Sequence, residues 1–325
     1  MTFHTYKFWA AFFCTAALVA PVAAQTGAYP SKPITLILGF TPGGISDVLS
    51  RALAARLSVQ MGQTVLVENK AGAATTIASA FVANAPADGY TLFFQDMTSH
   101  AINAAAYKKL KYDPWNDFTM VSLVASTPLM LISSIASGTK DVKSLTALAK
   151  AKPTEVAYAS SGNGAITHLA GESFKQISGT NTLHAPYKGS APATTAVIGG
   201  EVVYTFSTMP PAVSQMKAGK INALAVTSAK RVAAAPDVPT MNEAGVPMEL
   251  LLYSGLLAPK GLPPAIVERL GAEIKKALAS PEMKLTLANA GADDLASSPA
   301  EFVALMKIEA VKLAKAVTLA GVVLD

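Results

Sequence analysis

Cysteine is nearly missing from this 325-residue chain: Cys14 is the only one, and a single thiol cannot close an intramolecular bridge, so a disulfide scaffold is excluded. Charge is sparse as well, at 14% of residues with 26 Lys+Arg against 21 Asp+Glu. No Lys/Arg-rich run of five or more occurs, which leaves no nucleic-acid footprint. Beyond residue 24 the histidines are His100, His168 and His184, none with another His or a Cys at metal-ligand spacing, so a structural zinc site is excluded. Familiar catalytic signatures fail on named residues. There is no G-x-S-x-G, and Gly219-Lys220 is followed by Ile221, which removes the nucleophile elbow and the P-loop. Gly162-Asn163-Gly164 lacks the third glycine of a dinucleotide fingerprint. No cofactor is expected, and no enzymatic activity. What the chain does have is apolar content, 51% of residues. That is too much for a disordered protein and enough for two domains of ordinary size or one large α/β unit.

The first 24 residues differ from the rest. Lys7 is their only formal charge, Phe8 to Val19 is continuously apolar or small, Pro21 breaks the run, and Val22-Ala23-Ala24 precedes Gln25. This pattern predicts a cleavable secretory signal over residues 1–24. The run is too short to span a bilayer comfortably, and no basic stop-transfer flank follows it. Cys14 falls inside the segment after Phe13, where a lipid attachment site would want a small residue, so it is discarded rather than lipidated. Removing the segment with its one Lys leaves 25 Lys+Arg and 21 Asp+Glu, a net +4 with no cysteine.

Downstream, short apolar runs bounded by Pro and Gly alternate with helical spacing. Ile34 to Phe40 reads as a buried strand, Thr41-Pro42-Gly43-Gly44-Ile45-Ser46 as a loop, and Asp47 to Leu57 as a helix. Further strands are expected at Val65–Val67, Thr91–Gln95, Val156–Ala159, Val202–Phe206, Ala223–Thr227 and Leu250–Ala258. Met120–Ala125 and Leu129–Ile132 read as two strands separated by Ser126-Thr127-Pro128. Helices are expected over 145–151, 167–177 and 267–278, and a last one beginning at the Ser298-Pro299-Ala300-Glu301 capping box. This alternation predicts an α/β architecture with mostly parallel sheets.

Several loops that follow strands and precede helices are built from Gly, Ser, Thr and Asn. In open α/β sheets ligands sit at the carboxyl ends of strands. Amides at a helix start lack internal partners and the dipole adds positive potential, so such loops favour an anion. Any one such loop is an ordinary turn; several in one chain, each after a strand, point to a site.

The residues that carry these loops resemble a known family. Tyr29-Pro30-Ser31-Lys32-Pro33-Ile34, Phe40-Thr41-Pro42-Gly43-Gly44 with Asp47, Gly62 to Asn69, Ala87 to Leu92, Tyr158 to Gly164, Thr167 to Glu172, Pro186 to Pro192, Ala223 to Ser228, Asp237-Val238-Pro239-Thr240 and Gly255 to Pro259 are similar to the solute receptors of tripartite tricarboxylate transporters, also called the Bug family. The likeness spans essentially the whole chain after the signal. It implies a type II periplasmic binding protein-like fold, with two α/β lobes joined by crossover strands around a ligand cleft. Lobe 1 would comprise residues 25–126 and 251–325, lobe 2 residues 127–250, with the crossovers in Ser122–Ile132 and Leu251–Ala258. It implies a periplasmic, monomeric receptor for a small carboxylate that hands its ligand to a two-component membrane permease.

Carried onto this chain, the resemblance has Phe40 to Asp47 cradle one carboxylate, with Gly43 and Gly44 allowing close approach. Ser46 would cap the helix or donate to the ligand, capping being favoured. Asp47 would order the loop, since a bare carboxylate repels an anion. Thr98, Ser99 and His100 would face the cleft, His100 as donor or brace. The opposite wall would hold Ser160, Ser161, Asn163, Gly164, Thr167, Gly189 and Ser190, while His168 and His184 would be structural. Two departures bear on specificity. Ser207 stands where many relatives carry an acid after the equivalent of Phe206, which disfavours a ligand ammonium, and Ile45 makes the first loop more apolar. Both tilt toward a non-amino mono- or dicarboxylate with an apolar body, an aromatic one included. The same capture could serve a membrane signalling partner instead of a permease; an exported hydrolase is disfavoured because no nucleophile–base pair is recognisable.

Overall fold

A computed structural model describes residues 29–325 together with Met1 and Thr2; the expected signal segment, apart from those two residues, lies outside the described residues. The chain runs β1 (Ile34–Leu38), α1 (Ile45–Met61), β2 (Val65–Asn69), α2 (Thr76–Ala83), β3 (Thr91–Asp96), α3 (Met97–Ala106) and β4 (Phe118–Ser134). It continues α4 (Val142–Ala151), β5 (Ala157–Ser160), α5 (Ile166–Ser178), β6 (Leu183–Pro186), α6 (Ser190–Ile198), β7 (Tyr204–Thr208), α7 (Met209–Lys217) and β8 (Ile221–Val226). It ends β9 (Leu251–Pro259), α8 (Pro264–Leu278), α9 (Pro281–Asn289), β10 (Asp293–Asp294) and α10 (Pro299–Leu319).

The strands lie in the order β2-β1-β3-β9-β4-β7-β5-β6, with β8 and β10 also paired to β4. β1, β2 and β3 are parallel, as are β5, β6 and β7, while β4 and β9 run antiparallel to their neighbours. This is a mixed α/β sheet folded into two halves.

β4 belongs to both halves. Phe118 to Pro128 pair with β9, and Leu129 to Ser134 pair with β7 and β8. The polar Ser126-Thr127-Pro128 stretch, expected to lie between separate strands, is therefore internal to one strand of 17 residues. Pro128 lacks an N–H, but it sits where β4 leaves β9 for β7 and β8, so no ladder in the middle of either half depends on that donor. Thr227 ties the crossing: its Oγ1 donates to the Leu250 carbonyl at 2.6 Å and accepts from the Leu129 N–H at 2.8 Å. Its backbone bonds to both Leu129 and Leu250. One residue thus joins the two segments that pass between the lobes.

In the first lobe Leu36, Leu38, Leu49, Leu53, Phe93, Leu257 and Ile274 are buried between the sheet and α1 and α8. α10 begins at the expected capping box, Ser298 and Glu301 exchanging side-chain-to-backbone bonds, and packs on α3 and β4. A smaller cluster of Met130, Ile132, Val197, Met209 and Val226 sits under α6 and α7 of the second lobe. Among the described residues no helix is long and apolar enough to cross a membrane.

Candidate functional site

Five helices start at one place. A cavity between the lobes is lined by Phe40, Thr41, Gly44, Ile45, Ser46 and Asp47 from the β1–α1 turn, Asp96 before α3, Ser161 and Ile166 around the start of α5, Ser190 at the start of α6, Thr208 before α7, and Leu252. The chain puts helix starts there because every parallel strand in both halves ends on this side. In this conformation the lobes touch, and the enclosed space is about 20 Å³, on the order of one water molecule. Admitting a larger molecule therefore requires the lobes to move apart. A roomier cleft of about 440 Å³ is lined by Trp115, Phe118, Met120 and the α10 residues Val303 and Met306, none of which lines the cavity between the lobes.

The first-lobe wall is held by charge. Gly43 has φ +93°, a conformation that suits glycine, and its N–H donates to Asp47 Oδ2 at 3.1 Å. Asp47 Oδ1 accepts from Arg51 Nε at 3.0 Å and from Asn69 Nδ2 at 3.2 Å, and Asn69 Nδ2 also donates to the Phe40 carbonyl. Burial raises the Asp47 pKa, but the bonds from Arg51, Gly43 and Asn69 and the guanidinium charge outweigh it, so the carboxyl sits below its ordinary value. Asp47 is thus spent on ordering the loop. The N-cap of α1 is Gly44, which makes no side-chain cap bond. Ser46 lies inside the first turn and cannot cap the helix, contrary to the sequence expectation; its position lines the cavity instead. The amides of Ile45, Ser46 and Asp47 have no partner within the helix.

Asp96 is 1% exposed and caps α3, accepting from the Ser99 N–H at 2.9 Å and from Ser99 Oγ. Burial pushes its pKa up and the bonds from Ser99 and the Thr98 amide only partly offset this, leaving it at about 6. Ser99 Oγ also accepts from the Ile166 N–H of the other lobe at 3.0 Å. Thr98 braces β9, donating to the Leu251 carbonyl and accepting from the Tyr253 N–H, each at 3.0 Å. His100 is fully buried, with Nδ1 facing Gln95 Nε2 at 3.2 Å and Nε2 at 2.7 Å from the Pro114 carbonyl. Burial lowers its pKa to about 4. It faces Trp115 and Phe118, and is a brace rather than a cavity donor.

The second-lobe wall is held by hydroxyls. Ser161 Oγ meets Thr167 Oγ1 at 2.7 Å, and Thr167 Oγ1 also accepts the Ser161 N–H. Ser190 Oγ accepts the Thr208 N–H at 2.8 Å and meets Ser207 Oγ at 3.1 Å, with Thr194 Oγ1 beyond at 2.8 Å. Ser207 therefore stands one bond behind the cavity. Pro210 and Pro211 deprive α7 of two first-turn donors, and Thr208 offers a hydroxyl there instead.

Other expected residues fall outside the cavity. Ser160 Oγ bonds His184 Nε2 at 2.6 Å and accepts the Gly162 N–H. Gly164 donates to His168 Nδ1 and packs under Asn103, where a side chain would collide. Asn163 is exposed, and so is Gly43. Gly189 presses on Thr41 across the cleft, beside the Thr41 N–H bond to the Lys188 carbonyl at 3.2 Å. His168 and His184 stack at 4.1 Å behind this wall.

Five cavity residues are not singled out by the sequence: Thr41, Asp96, Thr208 and the apolar Ile166 and Leu252. Thr41 Oγ1 and Thr208 Oγ1 are buried and have no hydrogen-bond partner among the described residues. A position just before a helix in the glycine loop was the available signal for Thr41; for Asp96 it was an acid directly ahead of Met97-Thr98-Ser99. Among the described residues the lining contains no Lys, Arg or His, and no group of three or more His, Cys, Asp or Glu is placed to hold a metal ion.

The comparisons with known proteins agree with this geometry. BugT of Bordetella pertussis is 36% identical over 290 residues, 89% of this chain and 88% of that protein. The structure of Rhodopseudomonas palustris Rpa4515 with adipate superposes with a TM-score of 0.88 at 35% identity, covering 91% of this chain and 99% of that one. MatC (Rpa3494) of the same organism, with bound malate, gives 0.84 at 28% identity, over 89% and 100% of the two chains. The model of the tripartite tricarboxylate transporter family receptor, TctC, matches residues 49–319, and the chain belongs to that family of two-lobed receptors.

Proposed function

We propose that this chain is a periplasmic receptor that captures a small mono- or dicarboxylate between its lobes and hands it to a two-component membrane permease. Lobe 1 is taken as residues 25–126 with 251–325 and lobe 2 as 127–250, a division that the pairing of β4 supports. The observation that carries the reading is the pair of buried, unpartnered hydroxyls, Thr41 Oγ1 and Thr208 Oγ1, set on opposite lobes among five helix starts. An unpartnered buried hydroxyl is costly, and an anion bridging the lobes would satisfy both. The adipate and malate bound to the two relatives are carboxylates, the class that neutral donors at helix starts can hold and release.

Phe40, Ile45, Ile166 and Leu252 supply the apolar share of the lining. This supports a ligand with a hydrocarbon body between or beside its carboxylates, an aromatic ring included. The ligand contacts we assign are the first-turn amides of α1, Thr41, Ser46, Ser161, Ser190 and Thr208. Ser99, Thr167 and Ser207 act behind them.

Titration of the purified chain against a panel of aliphatic and aromatic mono- and dicarboxylates, by calorimetry and thermal shift, tests the reading. A bound ligand raises Tm by mass action. Silence across the panel would overturn the ligand class.

A further inference from the structure

Asp96 sets a problem that carboxylate capture alone does not solve. A site for a carboxylate contains a second carboxyl group, almost completely buried and without a cation in the cavity lining. The other acid there, Asp47, is bonded to Arg51. Asp96 has only Ser99 and the Thr98 amide, all neutral donors. Bringing an anionic ligand into the same closed space sets two like charges side by side with little water between them. One of them must be neutralised, and the lining offers no basic side chain to do it.

We propose that this receptor takes up one proton together with its carboxylate ligand, Asp96 binding as the neutral acid and donating its O–H to a ligand carboxylate oxygen. The proposal rests on the carboxylate reading and adds a chemical condition to it. The proton comes from solvent while the lobes are apart and is held between two carboxyl groups once they close; no bond other than hydrogen bonds changes. Asp96 already lies high for an aspartate, at about 6, because of burial, and a neighbouring ligand anion moves it further in the same direction.

The groups around Asp96 make the sign of the effect distinctive. α1 brings Asp47 to the same cavity, held ionised by Arg51. On α3, His100 lies on the far side of Gln95 and is kept neutral by burial. The segments of β9, α5, α6 and α7 that line the cavity bring Leu252, Ile166, Ser190 and Thr208, none of them charged. The stacked His168 and His184 stand behind the second wall, where burial lowers both pKa values. Their protonation would loosen that wall and weaken binding in acid, the opposite of what Asp96 predicts.

The test uses a carboxylate from the panel that binds, malate or adipate serving as first probes, measured between pH 6 and 8 in two buffers of different ionisation heat. We expect Kd to rise as pH rises, approaching tenfold per unit where one full proton is taken up, and the calorimetric enthalpy to differ between buffers by close to one proton. Asp96→Asn should flatten the pH profile and bind at pH 8 at least as well as the unchanged chain, because an amide donates without a proton and asparagine is also a good helix cap. A Kd independent of pH with no buffer-dependent heat overturns the proposal while leaving the carboxylate reading intact. So does binding of an amino carboxylate that Asp96→Asn abolishes, which would make Asp96 an ammonium partner. Failure of every carboxylate at every pH overturns both.

Discussion

The two walls of the cleft do the same task with different chemistry. On the first lobe, the β1–α1 turn is ordered by an ionised Asp47 with Arg51 and Asn69, and Asp96 braces the start of α3. On the second, Ser161 with Thr167 and Ser190 with Ser207 and Thr194 form neutral chains of hydroxyls. Every ionisable side chain in the lining therefore comes from one lobe. On the reading proposed above, an anion would be held by main-chain amides at helix starts on both sides, while the ionised Asp47 orders the first wall.

Filling the shared space should have the largest effect. Gly44 faces Ser190 and Thr208, and a Cβ there would sit 3.9 Å from Thr208 Oγ1. Gly44→Leu should keep the lobes from closing on a ligand and lower affinity on the order of 100-fold, with Tm nearly unchanged. A calorimetric titration beside a melt decides it; unchanged affinity would place the ligand elsewhere.

Breaking the charged wall comes next. Asp47→Ala leaves the Gly43 amide and Arg51 without their partner and should cost about 1–3 kcal/mol of stability, read by denaturant unfolding, together with ligand affinity. Because the Asp47 pKa is lowered on folding, its contribution is present above the ordinary carboxyl range and lost as pH falls through it. The difference in stability between the two proteins should shrink as pH falls below the ordinary carboxyl range and through the lowered folded value.

A finer comparison sets Thr41→Val against Thr208→Val. Each removes a buried hydroxyl that lacks a partner among the described residues. Stability without ligand should hold or rise slightly, while affinity falls by about fivefold for each. Equal losses would show that both lobes contribute a donor. A loss at only one would assign the ligand's polar end to that wall.

The smallest effect concerns acid. His184 and His100 are pushed down to about 3 and about 4 by burial, so the unfolded chain binds more protons than the folded one below about pH 6.5 and stability drops as pH falls from there. The second lobe holds a stacked pair of histidines; the first holds one. His184→Gln should flatten the decline in Tm between about pH 6.5 and 4.5 by a few degrees, and a slope identical to the unchanged chain would remove that pair from the account.

Much of the fold was legible. Ile34–Phe40, Thr91–Gln95 and Ala223–Thr227 showed as strands because they are short apolar runs between breakers, and α10 showed at its capping box because that signal is local. β4 was not legible as one strand: Pro128 marks a break in any local reading, and only pairing with β9 on one side and β7 and β8 on the other makes a continuous strand of it. In the site, the loop residues Phe40, Gly44, Ser46, Asp47, Ser161 and Ser190 appear both in the sequence reading and in the cavity lining. His100, Thr98 and Ser160 look identical to ligand donors in sequence. Their partners, Pro114, Leu251 and His184, are fixed by packing that no local pattern encodes.

By itself, then, the sequence determined the alternation of elements, the absence of metal and cofactor motifs, and glycine- and hydroxyl-rich loops at the ends of strands, since each is a property of neighbouring residues. Tertiary structure alone decided which hydroxyls remain without partners. It also decided that Asp96 is buried in the cavity while Ser207 stands behind it, and that one threonine, Thr227, ties both crossings. Those outcomes depend on contacts between residues distant in the chain, such as Leu129 and Thr227, 98 positions apart, where burial and hydrogen bonding are set by the fold as a whole.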